Sequence, residues 1–328
     1  GVQTCALPIS KAPTPTLQQL SARGVHAKGL IPSFPSKTFP NHYTLVTGLY
    51  PGHHGIVANA VKDPPTGRLF VRADVKEVRD PMWWGGEPIW VTVQKQQGIA
   101  ATMFWPGSEA PIGGRLPRYW KAYDESYPAN DRIDQALAWL DLPPGERPNL
   151  ITLYFEDTDT AGHEAGPDSP DVREAIRRAD SYVGRLIRGL DARNLTGATN
   201  VVAVSDHGMS PVSLDRTLVL DDYVSAEDVD VVDLNPTLGI FPKGGSDDRV
   251  LKALERASPH LHVYTRTRTP RRWHYRDHPR IPSVVGVVDD GWQIVRRAAV
   301  ADIRNGRTPE QRGQHGYDPA STSMRGIF

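Results

Sequence analysis

Buried strands and amphipathic helices alternate along the middle of the chain, and this alternation limits its fold more than any other feature. Residues 149–156 (NLITLYFE) and 200–205 (NVVAVS) are nearly continuous apolar runs, as expected of strands covered on both faces. Between them, the long segment that begins at Ser169-Pro170 carries apolar side chains at helical spacing: Val172, Ile176, Ala179, Val183, Ile187 and Leu190. This order of elements predicts an α/β sandwich with a largely parallel central sheet.

Weaker signals place the remaining elements. Pro15 near the start and Gly24 at the end bound a short helix. Helical or strand patterns predict two further helices, at 87–93 and 131–140, and three further strands, at 25–30, 99–105 and 283–288. Residues 218–280 have an irregular pattern, with one helix near 247–256 and short strands. We expect this stretch to be an elaboration on one domain that covers residues 11–328.

Composition excludes several classes of protein. Lys+Arg and Asp+Glu both number 38, so net charge gives no indication of a specific nucleic-acid or membrane partner. No apolar run reaches the length of a membrane span. Cys5 is the single cysteine, which rules out a disulfide framework and a cysteine-based zinc site.

Residues 1–10 are predicted to be foreign to the domain. The run GVQTCALPI at residues 1–9 can be back-translated to a string that resembles a common short-read sequencing adapter. We therefore expect a translated artefact fused to a chain that lacks its true N-terminus, and the first strand of the sheet with it. A genuine but disordered N-terminus is the alternative. The other end, at Phe328, also reads as interrupted within a strand.

Aspartate and histidine recur at three places where strands end, which is where open α/β sheets bind their ligands. The three segments are 159–163 (DTAGH), 205–209 (SDHGM) and 313–318 (GQHGYD). Each one alone could be a helix cap, a surface turn or a hydrogen-bonded core histidine. Together they predict a metal site, because Asp and His are typical zinc ligands.

Within residues 34–48, Thr38 stands at the tip of an irregular loop that runs into a short apolar helix. A hydroxyl at a helix N-terminus faces unpaired backbone N–H groups, which favour a phosphate or a developing alkoxide. A simple capping role is the alternative. The metal-ligand clusters further along the chain favour the catalytic interpretation.

Taken together, these motifs resemble the nucleotide pyrophosphatases/phosphodiesterases of the alkaline phosphatase superfamily. The nucleophile region is similar at 37–43 (KTFPNHY), 47–51 (TGLYP) and 54–56 (HGI), and the three metal motifs follow in the family's order. The segment 83–88 (WWGGEP) resembles the compact bacterial members. The likeness covers residues 15–328 and implies an alkaline-phosphatase-like sandwich.

The resemblance also implies a role for each matching residue. Thr38 would be the nucleophile, with a covalent threonine intermediate, and Asn59 would stabilise charge on a phosphate oxygen. Phe39 and Tyr154 would line the slot for a nucleobase, although core packing explains two aromatic residues equally well. Two Zn²⁺ ions are implied, with two sets of ligands: Asp159, His163 and His315 for the ion that activates water, and Asp206, His207 and Thr38 for the ion that activates the nucleophile.

One departure from the family pattern concerns the second zinc. The family has an additional Asp ligand at the end of its first strand, whereas the first acidic residue here is Asp63, after Thr38. We therefore expect the Asp159/His163/His315 zinc to be held better than the other, and activity to be weak at best.

The expected function is zinc-dependent hydrolysis of nucleotide phosphodiesters or pyrophosphates to nucleoside 5′-monophosphates. A lipid-type or choline-type phosphodiesterase on the same scaffold and an inactive metal-binding fragment are the alternatives. The substrate would be a small nucleotide, with no specific nucleic acid and no membrane span. The resemblance implies a periplasmic or extracellular location.

Overall fold

The computed structural model describes residues 2–4, 11–245 and 247–328. Its helices are α1 Pro15–Arg23, α2 Thr38–Thr47, α3 Pro51–His54, α4 Val75–Val78, α5 Ile89–Lys95, α6 Ala129–Leu140, α7 Asp157–Ala165, α8 Pro170–Asp191, α9 Asp247–Glu255 and α10 Arg297–Arg304. Its strands are β1 Val2–Thr4, β2 Ala60–Lys62, β3 Leu69–Val71, β4 Ala100–Met103, β5 Tyr119–Lys121, β6 Leu150–Phe155, β7 Ala203–Val204, β8 Ser210–Pro211, β9 Thr217–Val219, β10 Val229–Leu234, β11 Thr237–Pro242, β12 Leu261–Thr265, β13 Val284–Val288, β14 Gln293–Val295 and β15 Gly313–Gln314.

The central sheet is parallel, as predicted, and has the strand order β5-β4-β6-β1-β7. Two separate apolar clusters include residues of β4: Ala100 belongs to one, whereas Ala101 and Met103 belong to the other. Neighbouring residues of a strand point to opposite faces, so both faces of this sheet are covered. Helices α6 and α8 contribute to one cluster through Ile133 and Val183, and α2 contributes to the other. The predicted fold class is confirmed.

The expectation that the sheet lacks its first strand is wrong, because residues 2–4 supply the backbone of a strand at that position. Val2–Thr4 pairs in parallel with β6 on one side and with β7 on the other. Because it lies between β6 and β7, this short extended segment can pair its backbone groups on both sides. Residues 1 and 5–10 of the predicted artefact lie outside the described residues, and the assignment of residues 1–10 stays a prediction.

A second, antiparallel sheet of four strands occupies much of the stretch predicted to be irregular. Its order is β10-β11-β13-β12, and helix α9 contacts β11 and β12. Its residues share an apolar cluster that includes Leu238, Leu254 and Val284. Strand β13, predicted at 283–288, therefore belongs to this sheet. The limits of the single domain stay a prediction.

The strand predicted at 25–30 does not form. Only Leu30 makes an isolated antiparallel bridge, with Gly326, and Val25 is 90% exposed. Ala27 also donates to the Phe328 carbonyl oxygen at 2.9 Å, but these few hydrogen bonds to residues 326–328 do not extend into a ladder, so the local β propensity is overridden by context. None of the helices in the described ranges has the length and hydropathy of a membrane-spanning segment.

Candidate active site

Asp159, His163 and His315 converge beside the carboxyl end of β6. Asp159 and His163 lie one turn apart on α7, and their Oδ2 and Nε2 atoms are 3.6 Å apart. His315 Nε2 approaches Asp159 Oδ1 at 3.8 Å, and the ligand atoms of all three residues lie within 4.8 Å of one another. Within the described ranges, the buried Asp159 Oδ1 has no hydrogen-bond donor. The three residues could therefore hold a metal ion.

Backbone carbonyl groups orient the imidazoles of this group. His163 Nδ1 lies 2.9 Å from the Gly313 carbonyl oxygen, and His315 Nδ1 lies 3.0 Å from that of Ser36. A carbonyl oxygen only accepts, so each Nδ1 donates and each Nε2 presents a lone pair towards Asp159. Metal-binding histidines commonly have their other ring nitrogen held in this way.

Asp206 and His207 lie immediately beside this group and are buried. His207 donates from Nδ1 to the Gly208 carbonyl oxygen at 2.9 Å, and its Nε2 lies 3.1 Å from Asp206 Oδ2. The His207 ring stacks on that of His315, with centroids 3.6 Å apart. The structure thus brings all five predicted Asp and His ligands into one contiguous cluster.

The pKa values of two histidines in the cluster, His315 and His207, shift in opposite directions. Burial lowers the pKa of His315 well below its usual value, and the neighbouring His207 and His163 lower it further. Burial would also lower the pKa of His207, but the Asp206 carboxylate outweighs this effect and raises it to about 9. The His315 imidazole is therefore neutral near pH 7, which is the form that binds a metal.

Two glycines allow the segments of the cluster to approach closely. A Cβ on Gly208 would lie 2.0 Å from the Ser323 carbonyl oxygen. Gly316 has a φ of +119°, and a Cβ there would lie 2.8 Å from Pro236 and 3.0 Å from Lys37. Only glycine fits these positions without displacement of the backbone, which explains why a glycine follows both His207 and His315.

Thr38 is the first residue of α2 and is half-buried. The loop before it is shaped by Asn41, which accepts the Ser33 N–H at 2.7 Å and donates to the Pro35 carbonyl oxygen at 2.9 Å. Ser36 donates to the Tyr317 carbonyl oxygen at 2.7 Å, two residues beyond His315. This hydrogen bond therefore connects the loop before Thr38 to the segment 313–318, which carries His315.

Asn59 lies against the first turn of α2. Its Oδ1 accepts the Phe39 N–H at 3.0 Å, so the amide NH₂ group is the donating end of the side chain. A donor held beside Thr38 has the chemistry that the oxyanion role requires. The structure thus places Asn59 near the predicted nucleophile, and its catalytic role stays a prediction.

The predicted nucleobase slot is less well defined. Phe39 packs edge-on against Phe70, with centroids 5.6 Å apart, and tilted against Trp84 at 6.1 Å. Tyr154 is 9% exposed, and its ring lies 5.2 Å from His42 and 6.3 Å from Tyr123. Core packing accounts for these contacts, and a stacking role for Phe39 and Tyr154 stays a prediction.

Two further groups near Thr38 were not assigned a role from the sequence. Lys37 is buried and forms an ion pair with Asp233 of β10 at 2.6 Å, a contact between residues 196 positions apart that no local pattern indicates. His42 lies one helical turn beyond Thr38 and contacts both Thr38 and Asp206. Its spacing of four residues from Thr38 was a usable signal, because i and i+4 share a helix face.

Comparison with known proteins gives one consistent family. A family profile described as type I phosphodiesterase/nucleotide pyrophosphatase matches residues 6–318. Human ectonucleotide pyrophosphatase/phosphodiesterase family member 5 is 37% identical over 318 residues, which is 97% of this chain and 65% of that protein. An uncharacterised pyrophosphatase/phosphodiesterase of Schizosaccharomyces pombe is 39% identical over 96% of this chain and 66% of its own length. The venom phosphodiesterase of Macrovipera lebetinus is 39% identical over 96% of this chain but only 37% of that protein.

Solved structures agree with these relatives. Murine ectonucleotide pyrophosphatase/phosphodiesterase 5 superimposes with a TM-score of 0.92 and 35% identity, covering 100% of this chain and 86% of that one. An inactive threonine-to-alanine variant of the same murine protein, in complex with AMP, superimposes with a TM-score of 0.91 and 34% identity, with the same coverage. The chain spans just under two thirds of the length of the human and yeast relatives.

Proposed function

The chain belongs to the type I phosphodiesterase/nucleotide pyrophosphatase family, and from this membership and its site we propose that it hydrolyses nucleotide phosphodiester or pyrophosphate bonds. The observation that carries the proposal is the convergence of Asp159, His163 and His315 beside His207, with the Thr38 loop fastened to the same segment. A hydrolase of this class needs both a metal-ligand cluster and a nucleophile at one place.

The ligand cluster fits zinc. Carboxylates and imidazoles are typical zinc ligands, and imidazole is less suited to Mg²⁺ or Ca²⁺. The buried Asp159 Oδ1 has no hydrogen-bond donor among the described residues, which is the state expected of an atom that serves as a metal ligand. Asp159, His163 and His315 would hold one ion, and Asp206, His207 and Thr38 the other. Bound zinc would supply positive charge that favours the ionised hydroxyl and stabilises the phosphate oxygens.

Thr38 performs the first chemical step in this proposal. Its Oγ attacks phosphorus, so that a threonine–phosphorus ester forms while the bond from phosphorus to the leaving oxygen breaks. The threonine proton is lost from Oγ, and the leaving oxygen gains a proton. In the second step a water oxygen attacks the same phosphorus, the ester bond breaks and Thr38 regains its proton, which releases a nucleoside 5′-monophosphate.

The remaining groups of the chain orient the phosphate. The N-terminus of α2 directs the positive end of its helix dipole towards Thr38, and Asn59 adds a side-chain amide donor. Asn41 and Ser36 restrain the loop, which reduces the reorganisation needed before attack. Phe39 and Tyr154 would stack on the base.

Relatives support a nucleotide substrate. The complex of the murine relative contains AMP, and the human relative is named an ectonucleotide pyrophosphatase/phosphodiesterase. A choline-type or lipid-type phosphodiester is the competing substrate on the same site. The venom and ecto-enzyme names also support a periplasmic or extracellular location for this chain.

A direct assay tests the proposal. The chain, dialysed against zinc, would be incubated with a dinucleotide polyphosphate, bis(p-nitrophenyl) phosphate and p-nitrophenylphosphorylcholine. We expect AMP release from the dinucleotide at a higher kcat/KM than hydrolysis of the choline ester. Preference for the choline ester would replace the substrate assignment. A third outcome is possible, in which the zinc-loaded parent turns over none of the substrates while Asp159→Asn loses the zinc. That result would identify an inactive metal-binding chain.

A further inference from the structure

His42 is a residue of α2, the helix that begins with Thr38; it is fully buried and faces the loop that carries Asp206. Its Nδ1 is 2.7 Å from the carbonyl oxygen of Thr38 and 3.2 Å from Oδ2 of Asp206. Both of these atoms are acceptors, so the nitrogen between them carries a hydrogen. One N–H group therefore contacts the backbone of the proposed nucleophile and the side chain of a proposed metal ligand.

Packing alone does not account for an imidazole here. The His42 ring meets Trp105 and Tyr154 edge-on, with centroids 5.3 and 5.2 Å away, contacts that a phenyl ring could also make. His42 Nε2 is buried and has no hydrogen-bond partner in the described part of the chain. Burying an unpaired polar atom costs free energy. The Nδ1–H donor, which contacts Thr38 and Asp206, is therefore the feature of histidine that phenylalanine could not replace at this position.

We propose that His42 is a positioning residue that holds Asp206 in register with Thr38. The inference rests on the proposed function, in which Thr38 attacks phosphorus and Asp206 holds a metal ion. His42 and Thr38 occupy successive turns of α2, so a hydrogen bond from His42 to Asp206 ties the metal-ligand loop to the nucleophile helix. In-line attack is sensitive to misplacement, and an error of about 1 Å can cost about 10²-fold in rate.

Three substitutions separate positioning from packing. In His42→Asn the amide nitrogen occupies about the place of Nδ1, whereas in His42→Gln it occupies about the place of Nε2. His42→Phe keeps the ring without either nitrogen. We expect His42→Asn to retain kcat within about threefold, and the Gln and Phe variants to lose about 10²-fold in kcat with KM within about threefold. If His42 had a purely structural role, the loss of kcat would depend on side-chain shape. The Phe variant would then be more active than the Asn variant.

Metal binding gives a readout that does not depend on turnover. Each variant would be titrated with Co²⁺, and binding followed by the visible absorption of the ion, after circular dichroism and thermal unfolding had shown that the variant is folded. We expect the Gln and Phe variants to lose about 10- to 100-fold in affinity for the second Co²⁺, as removal of a group that orients a ligand does elsewhere. The first Co²⁺, at Asp159, His163 and His315, should bind as in the parent.

Two results would overturn the proposal: equal kinetics and Co²⁺ affinity for the Asn and Gln variants, or parental behaviour of His42→Phe. If the parent itself shows no turnover, the proposed function fails, and the Co²⁺ titration alone decides the role of His42.

Discussion

Thr38 is the residue on which the proposed chemistry depends, because its hydroxyl is the group placed at the start of α2 beside Asn59. We predict that Thr38→Ala lowers kcat by at least about 10³-fold, since no other atom of this side chain can form the ester. Thr38 is half-buried, so the variant should fold and bind zinc at the Asp159 group. Steady-state kinetics with bis(p-nitrophenyl) phosphate measures the loss.

Thr38→Ser is the matched variant for this prediction, because it keeps the hydroxyl and removes only a methyl group. Measurable turnover by Thr38→Ser and none by Thr38→Ala would support a nucleophilic role. Retention of kcat by Thr38→Ala would contradict it, and would indicate that water attacks the phosphorus directly.

The ion pair between Asp63 and Arg280 is a second residue-scale feature, and it is structural. Both side chains are buried, with Arg280 Nε 2.9 Å from Asp63 Oδ1, and Arg280 also donates to the Trp83 carbonyl oxygen at 2.9 Å. Removing one partner leaves a buried charge, so Asp63→Asn should lower the free energy of unfolding by about 3 kcal/mol. Urea unfolding measures this, with the exposed pair variant Arg297→Ala as a control expected to lose less than about 1 kcal/mol.

The same pair gives a pH dependence of stability. Burial would raise the pKa of Asp63, but hydrogen bonds from Thr66 and Arg280 and the Arg280 charge lower it below its ordinary value. A lowered pKa in the folded state stabilises the protein above the unfolded pKa of about 3.9, and this stabilisation is lost as pH falls through the folded pKa. Asp63→Asn should therefore show a shallower loss of stability in acid than the parent; an identical acid limb would contradict this assignment.

At the scale of elements, α8 is the part that the sequence describes best. Val172, Ile176 and Val183 are buried as predicted, and Ser169 caps the helix by accepting the Val172 N–H at 3.2 Å. The helix covers one face of the sheet whose β6 leads into the metal-binding helix α7. Its stability therefore supports the site indirectly.

Loss of this cap should destabilise the protein. We predict that Ser169→Ala lowers the free energy of unfolding by about 1 kcal/mol, because one N–H group at the helix start loses its acceptor. Ser181→Ala is the control on the same helix, where alanine is the better helix former at an exposed interior position. Thermal or urea unfolding of both variants compares them, and equal losses would show that the cap contributes nothing.

Strand predictions were less reliable than helix predictions, for a reason visible in this chain. The sequence predicts a strand at 25–30, but this segment pairs only at Ala27, with Phe328, and at Leu30, with Gly326. The strand predicted at 283–288 does form, as β13, the second strand from the edge of its sheet, with partners on both sides. Strand formation depends on distant segments that supply hydrogen bonds, whereas a helix closes its hydrogen bonds locally.

For the whole molecule, we expect the two proposed zinc sites to differ in affinity, because the Asp159, His163 and His315 site has the more complete set of ligands. Among the described residues, only Asp159, His163 and His315 form a group of three metal-ligating side chains within 4.8 Å. We predict that the chain keeps about one zinc ion after dialysis and loses the second, as counted by elemental analysis. Bound zinc should raise the unfolding temperature, because binding at 100 times the Kd stabilises the folded state by about 2.7 kcal/mol.

Variants of α7 serve as controls for this prediction. Asp159→Asn should remove the retained zinc and its thermal stabilisation. Asp157→Asn changes a carboxylate on the same helix that instead contacts Tyr182 and Arg178, and should leave the zinc content unchanged. Two zinc ions retained by the dialysed parent would contradict unequal binding.

Local sequence patterns were enough to predict the α/β class, the five Asp and His side chains of the cluster and the position of Thr38 before a helix. These features depend on local pattern: apolar periodicity, strand ends and glycines next to ligands. The tertiary structure decided that β1 pairs between β6 and β7, that residues 229–288 include a second sheet, and that Lys37 pairs with Asp233. It also placed the Thr38 helix against Asp206 through His42. The contacts of β1, Lys37 and His42 join residues more than 100 positions apart, and their energies depend on which surfaces meet, which no local window of sequence contains.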